Sequence, residues 1–244
     1  MTYTPIRVLS FLTICLSILS LPTIGISQKK KDEKKVTTAI ERAKKATEVL
    51  KQVAALPEDK GIPKDITEKM NLVGVIPDAS QLSLLFSKGF RGHGISCLRQ
   101  DNGWSLPAFY FFGQANGFDL TGVSYKHFDL IMVVVGAKTK PKKDKEKDKA
   151  NPPSADKKDK PDKPRSYFYI FAEGLLKPVA LKTGFLDALL GAQITIAYDN
   201  KLNKAVYGVK GDDVFLGKID VARQSPSEVT VFRDALNATY PVKR

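Results

Sequence analysis

Cysteine and histidine are scarce in this chain: its 244 residues hold only Cys15, Cys97, His93 and His127. Cys15 lies in an N-terminal stretch that reads as a leader. Cys97 is then left alone, which excludes an intrachain disulfide framework and a multi-cysteine zinc site. The two histidines have no second histidine or carboxylate at ligand spacing, so metal and imidazole chemistry have little to build on. Acidic residues are the minority sign, 26 against 39 Lys and Arg, for a formal net charge of +13. What is plentiful is apolar: at 43% hydrophobic and 9% aromatic the chain buries a core, so wholesale disorder is excluded. The length implies one domain with tails.

The positive excess is concentrated in two places. Residues 29–35 (KKKDEKK) hold five lysines and two acids, and residues 138–165 hold twelve Lys/Arg and six acids. The remaining body is only mildly basic, so a nucleic-acid reading built on the isoelectric point would rest on these segments alone. Segment 138–165 contains no aromatic residue and no Leu, Ile or Val. It cannot bury a core and is expected to be a disordered, Lys/Asp/Pro-rich loop inserted within one domain.

Met1–Ser27 carries Arg7 near its start, then an uncharged apolar run, then Gly25 and Ser27 at the −3 and −1 positions before Gln28. That is the order of a cleaved signal peptide, and it predicts export to a periplasm or the exterior. The alternative is a retained N-terminal membrane anchor, because Val8–Ser27 is about long enough to span a bilayer. Residues 28–35 then form a basic spacer before the domain, 36–240.

Val36, Ile40, Ala43, Thr47, Leu50 and Ala54 recur at helical steps, predicting a helix over 36–55 with Arg42, Lys44, Lys45 and Lys51 mostly off the apolar stripe. Such a basic amphipathic helix packs on the domain and is able to lie on an anionic bilayer. Pro63 opens a short helix to Lys69. Strand-like runs follow at 72–76, 82–86, 94–99, 108–112 and 128–135, then at 167–172, 179–182 and 192–197. Asp101-Asn102-Gly103 marks a tight hairpin turn. A helical piece near 200–205 and a C-terminal helix to Thr239, capped by Ser225 with Glu228 as its partner, complete the pattern. The expected fold is α+β: an N-terminal amphipathic helix and a C-terminal helix around a curved, mainly antiparallel sheet.

Catalytic chemistry finds no setting. Gly94-Ile95-Ser96 lacks the second glycine of a nucleophile elbow, and Cys97 reads as a buried thiol. His93 lies between glycines on an expected loop, and His127 precedes a strand. Asp119 and Asp129 read as solvated or capping carboxylates. Trp104, Phe109, Tyr110, Phe111 and Phe112 read as core packing, not as stacking residues in a basic groove for single-stranded nucleic acid.

Several stretches are similar to the SYLF domain, the Ysc84-type lipid- and actin-binding domain. They are Gly61-Ile62-Pro63, Ile76-Pro77, Gly103-Trp104-Ser105-Leu106-Pro107, the Gly117–Gly122 step, Gly174-Leu175-Leu176, and Asp199-Asn200 through Tyr207-Gly208. The likeness covers about residues 40–240. It departs where relatives carry a Gly/Ala-rich central stretch, replaced here by the Lys/Asp-rich segment. The resemblance implies a non-enzymatic module with no cofactor that binds acidic membrane lipids, phosphoinositides among them, through its N-terminal helix. Its actin-bundling side does not suit an exported chain. The expected lipid contacts are Arg42, Lys44, Lys45 and Lys51, with no catalytic and no metal-binding residue. The alternative is an exported structural or interaction protein whose polycationic loop contacts an acidic polymer or partner protein.

Overall fold

The computed structural model describes residues 23–84, 87–115, 126–136, 165–179, 193–219 and 225–242. The leader before Thr23, Asp119, the Gly117–Gly122 step and the predicted loop up to Pro164 lie outside the described residues. The fold is α+β, as the patterning predicts. Its helices are α1 (Thr23–Ala54), α2 (Lys64–Lys69), α3 (Asn200–Tyr207), α4 (Gly211–Phe215) and α5 (Ser227–Thr239). The strands are β1 (Met70–Leu84), β2 (Ser87–Gln100), β3 (Gly103–Trp104), β4 (Ala108–Ala115), β5 (His127–Val135), β6 (Arg165–Ala172), β7 (Leu175–Val179) and β8 (Gln193–Tyr198). All pairings are antiparallel, in the order β7-β6-β5-β1-β2-β4-β8, with β3 attached to β2.

The sheet is strongly curled. The Phe112 ring on β4 and the Phe168 ring on β6 lie 6.0 Å apart although β2, β1 and β5 run between them. In a flat sheet strands four places apart would be separated by about 19 Å. The concave side is filled by Phe90, Phe112, Phe128, Leu130, Met132, Phe168 and Ile170. Glycines make room there. A Cβ on Gly94 would lie 2.5 Å from the Tyr110 Cζ, and one on Gly74 would lie 2.6 Å from the Tyr110 hydroxyl. The Tyr110 ring therefore lies across both backbones.

The convex side carries the larger core, where Val73, Val75, Ile95, Cys97, Phe109, Ile131 and Val133 meet the helices. α1 lies against α5, α3, β1 and β2. Its inner face is Ala39, Ala43, Ala46, Leu50 and Val53, with Thr47 also buried. This stripe is rotated from the predicted one: Val36 is half-buried and Ala54 exposed, because the small side chains at 39, 43 and 46 allow the closest approach to the sheet. From α5, Val229, Phe232 and Leu236 complete the layer.

Several expectations are corrected. α1 starts at Thr23, not Val36, so it contains both the basic spacer and the predicted cleavage point. Lysines and glutamates are good helix formers, and no proline interrupts this stretch. The run at 72–76 and residues 82–84 of the run expected at 82–86 belong to one strand, β1, broken by a bulge between Ile76 and Ala79 where Asp78 takes a positive φ of 54°; 85–86 lie outside the described residues. Of the strand expected at 179–182, residues 180–182 lie outside the described residues; ahead of it Leu175–Val179 forms β7, because Glu173-Gly174 supplies the positive-φ turn that pairs it with β6. Ser225 does not cap α5. Pro226 occupies the N-cap position, and the Ser225 hydroxyl has no hydrogen-bond partner. Helix α4 has no counterpart in the sequence pattern.

Candidate functional site

Four residues of the last third latch the fold. Asp199 accepts the Leu202 N–H at 3.1 Å and caps α3. Four residues on, buried Asn203 accepts the Phe109 N–H at 2.9 Å and donates to the Phe109 carbonyl at 2.8 Å. Four further, Tyr207 donates its hydroxyl to the Pro107 carbonyl at 2.8 Å, and Gly208 ends the helix in the left-handed region. Spacing by four puts 199, 203 and 207 on one helix face, here the face against β4. The turn residues are structural too. Trp104 donates its indole N–H to the Tyr240 carbonyl at 3.0 Å, and Arg99 donates to the carbonyls of Glu68, Met70 and Pro241. These bonds hold residues 240–241 on the β2–β3 hairpin.

A second set of polar side chains converges beside the middle of α1. There a groove of about 480 Å³ runs between the helix and the convex face of the sheet. α1 contributes Thr38, Glu41, Arg42 and Lys45. The β1 bulge contributes Pro77, Asp78 and Ser80, β2 contributes Arg91 and His93, and β4 contributes Phe111. The period of two explains β2: Ile95 and Cys97 lie under the helix, and His93 and Arg91 continue the same face where the core ends. His93 is therefore a strand residue opposite Phe111, not the loop residue expected between two glycines. The bulge wall is braced from behind. Asp129 accepts the Asp78 N–H at 2.9 Å, and His127 Nδ1 lies 3.0 Å from the Asp78 carboxylate.

Arg42 lies at the floor of this groove. Only 11% of its side chain is exposed, its Nη1 is 3.7 Å from Asp199 Oδ2, and its guanidinium lies 5.7 Å from the centre of the Phe109 ring. The Asp199 contact is too long for a hydrogen bond, and the buried Nη1 has no hydrogen-bond partner. Burial lowers the Arg42 pKa and Asp199 pulls it back up. Burial, then Arg42, lower that of His93, with Asp199 opposing and Arg91 adding to the depression. The expectation that Arg42 belongs with the exposed lysines is thus corrected: at the edge of the apolar stripe its long stem folds inward towards Asp199.

Lys44, Lys45 and Lys51 are exposed as expected. At 100° per residue Lys44 and Lys51 share one flank of the helix and Lys45 the other, with Glu41 and Glu48 between them. Over its length α1 carries eight lysines against Asp32, Glu33, Glu41 and Glu48.

Cys97 is fully buried and its thiol is pushed well up by burial, an inert setting. Asp129 is half-buried. Burial raises its pKa, the Asp78 N–H lowers it, and the Asp78 charge raises it again. Between the ordinary 3.8 and the raised value the native state holds a proton that the unfolded chain releases. Stability therefore falls as pH rises through that window. Asp129→Asn keeps an acceptor for Asp78, so melting curves from about pH 3.5 upward should diverge, with the variant the more stable at neutral pH. A variant less stable than wild type at neutral pH would contradict this assignment. Among the described residues no group of three His, Cys, Asp or Glu side chains could hold a metal, and no helix is long and apolar enough to cross a membrane.

The Arg42–Asp199 pair and the Arg91–His93 wall escape sequence reasoning. The pair joins residues far apart in the chain. The wall has a signal, polar residues continuing the period-two face of Ile95 and Cys97. Compared with family models, curated proteins and solved structures, the chain matches none.

Proposed function

We propose that this protein is a non-enzymatic module that binds anionic membrane lipid peripherally, with α1 as the contact element. One observation carries the reading. The Lys-rich stretch 29–35 and the exposed Lys44, Lys45 and Lys51 belong to one uninterrupted helix, whose opposite side is committed to the core from Ala39 onward. A helix that already holds its lysines on the side turned away from the core, on both flanks, meets a charged plane with little further ordering of its backbone. Each lysine held near an anionic surface contributes about 1 kcal/mol. Because Glu41 and Glu48 interrupt the outward face over 41–51, the attraction depends on the whole helix and is sensitive to salt. Arg42, turned inward, takes no part in it.

The test is sedimentation of the full chain with anionic vesicles. Lys44→Glu, Lys45→Glu and Lys51→Glu together are expected to weaken binding about 100-fold or more. Unchanged binding overturns the helix assignment.

A second reading, contact with an acidic polymer or partner protein through residues 138–164, has its own support. Val135 and Arg165, which flank this segment, are direct partners in the β5–β6 ladder. The segment therefore leaves and re-enters the sheet at one point, and its removal would leave the ladder intact. Deleting 138–164 should abolish polymer binding under this reading and only weaken vesicle binding under the first.

A further inference from the structure

We propose that the groove between α1 and the β1 bulge is a binding site for a phosphate-bearing small molecule or headgroup, with the phosphate held by Arg42, Arg91 and Lys45 beside His93. This goes beyond the membrane reading, because a free phosphate compound would occupy the groove without any bilayer.

Three observations carry it. First, cationic side chains from two different elements, α1 and β2, meet in one concavity instead of dispersing into solvent as surface lysines do. The Arg42 side chain is only 11% exposed, with Asp199 at 3.7 Å as a loose partner and Nη1 without a hydrogen bond. A buried guanidinium with an unmade hydrogen bond is a standing cost that an incoming anion would offset. Second, the carboxylates nearby are largely committed elsewhere. Asp199 caps α3 through the Leu202 N–H, and Asp78 faces His127 at 3.0 Å. Glu41, exposed on the helix, remains a negative charge in the lining, which weakens the attraction of Arg42, Arg91 and Lys45 for an anion without cancelling it. Third, the groove is larger than a phosphate. At about 480 Å³ it falls within the range of about 300–1,000 Å³ typical of small-molecule sites, and Phe111 and Pro77 give an organic body apolar surface to lie on. Thr38 and Ser80 add hydroxyl donors at the sides. His93, its ring 5.5 Å from that of Phe111, completes the wall.

His93 also supplies a reporter. The groups around it are Arg42, Lys45 and Glu41 on α1, Arg91 on its own strand, Asp78 on the bulge, and Asp199 beyond Arg42. Burial and the two arginines lower its pKa, with Asp199 opposing, and so favour the neutral imidazole. A phosphate placed among these groups favours the charged ring and moves its midpoint upward.

The experiment is an NMR titration of the full chain with inorganic phosphate at constant ionic strength, balanced with chloride. Wild type should give saturable shifts at Thr38, Gly92 and His93 and an upward move of the His93 midpoint. Arg91→Gln, at an exposed position the core does not use, should weaken the affinity about tenfold or more and shift the midpoint move to correspondingly higher phosphate. Shifts that chloride reproduces, or that Arg91→Gln leaves unchanged, overturn the site. Vesicles then separate the two sources of the phosphate, using phosphatidic acid against phosphatidylglycerol at equal surface charge. A preference for the monoester that Arg91→Gln removes identifies a lipid headgroup. Saturable phosphate binding without that preference identifies a soluble phosphate compound. Phosphate binding with no vesicle binding at all upholds the groove and overturns the membrane reading.

Discussion

Asn203→Leu is expected to lower the unfolding free energy by about 3 kcal/mol. The replacement keeps the number of side-chain heavy atoms, but two hydrogen bonds vanish. The Phe109 N–H and carbonyl are both answered by the Asn203 amide, at 2.9 and 2.8 Å, on a residue that is fully buried. Leucine leaves the Phe109 N–H unanswered in a dry interior, at about 1–3 kcal/mol, while the carbonyl loses one of two partners and keeps the Asp199 N–H at 2.9 Å. The β8 ladder starts at Tyr110↔Tyr198, and the next residue, Asp199, reaches only the Phe109 carbonyl before the chain turns into α3, so nothing else answers the N–H. Urea unfolding should show a lower midpoint with an unchanged slope. A loss below about 1 kcal/mol would mean that Asn203 does not secure α3 to the sheet.

Gly94→Ala is expected to cost about 3 kcal/mol, though it adds a single methyl group. That methyl would lie 2.5 Å from Tyr110 Cζ, 2.8 Å from its hydroxyl and 2.9 Å from Ile76 Cγ1. None of these can yield cheaply. Tyr110 and Ile76 are each 1% exposed, and the concave face behind them is filled by Phe90, Phe112 and Leu130. Relief requires the sheet to flatten, which would separate rings that the curl brings together. A control at Gly174 isolates the cause. This glycine is exposed, and a methyl group added there would find nothing within 4 Å. Alanine at that position meets only the strain of a φ of +74° and should cost less than Gly94→Ala. Equal losses at the two positions would contradict the packing argument.

The parts of this fold that are legible in the sequence are those set by neighbours. Asp101-Asn102-Gly103 needs only its own backbone preferences to close the β2–β3 hairpin, with Gly103 at a φ of 133°. Phe128–Val135 reads as a strand because both of its faces are apolar, Phe128, Leu130 and Met132 inside the curl and Ile131 and Val133 under the helices. What is not legible depends on distant partners or on two local rules in competition. Pro77-Asp78 has the composition of a turn, yet it is a bulge, because Asp129 on β5 accepts the Asp78 N–H and keeps the strand in the ladder. Ser225 and Glu228 have capping-box spacing, but Pro226 takes the N-cap. Arg42 stands out in the sequence as a helix cation, and periodicity alone puts it on the wrong surface. It lies at the stripe's edge, and only Asp199 and Phe109 decide that it turns inward. The exposed lysines need no such partner, and their exposure follows from periodicity alone.

The central claim, a peripheral module for anionic lipid, is tested most directly by sedimentation of the full chain with neutral and with anionic vesicles, at low and at physiological salt. The account predicts no binding to neutral vesicles, binding to anionic vesicles that weakens with salt, and retention at physiological ionic strength, where screening acts over about 8 Å. Equal binding to neutral and anionic vesicles, or none to either, would contradict it.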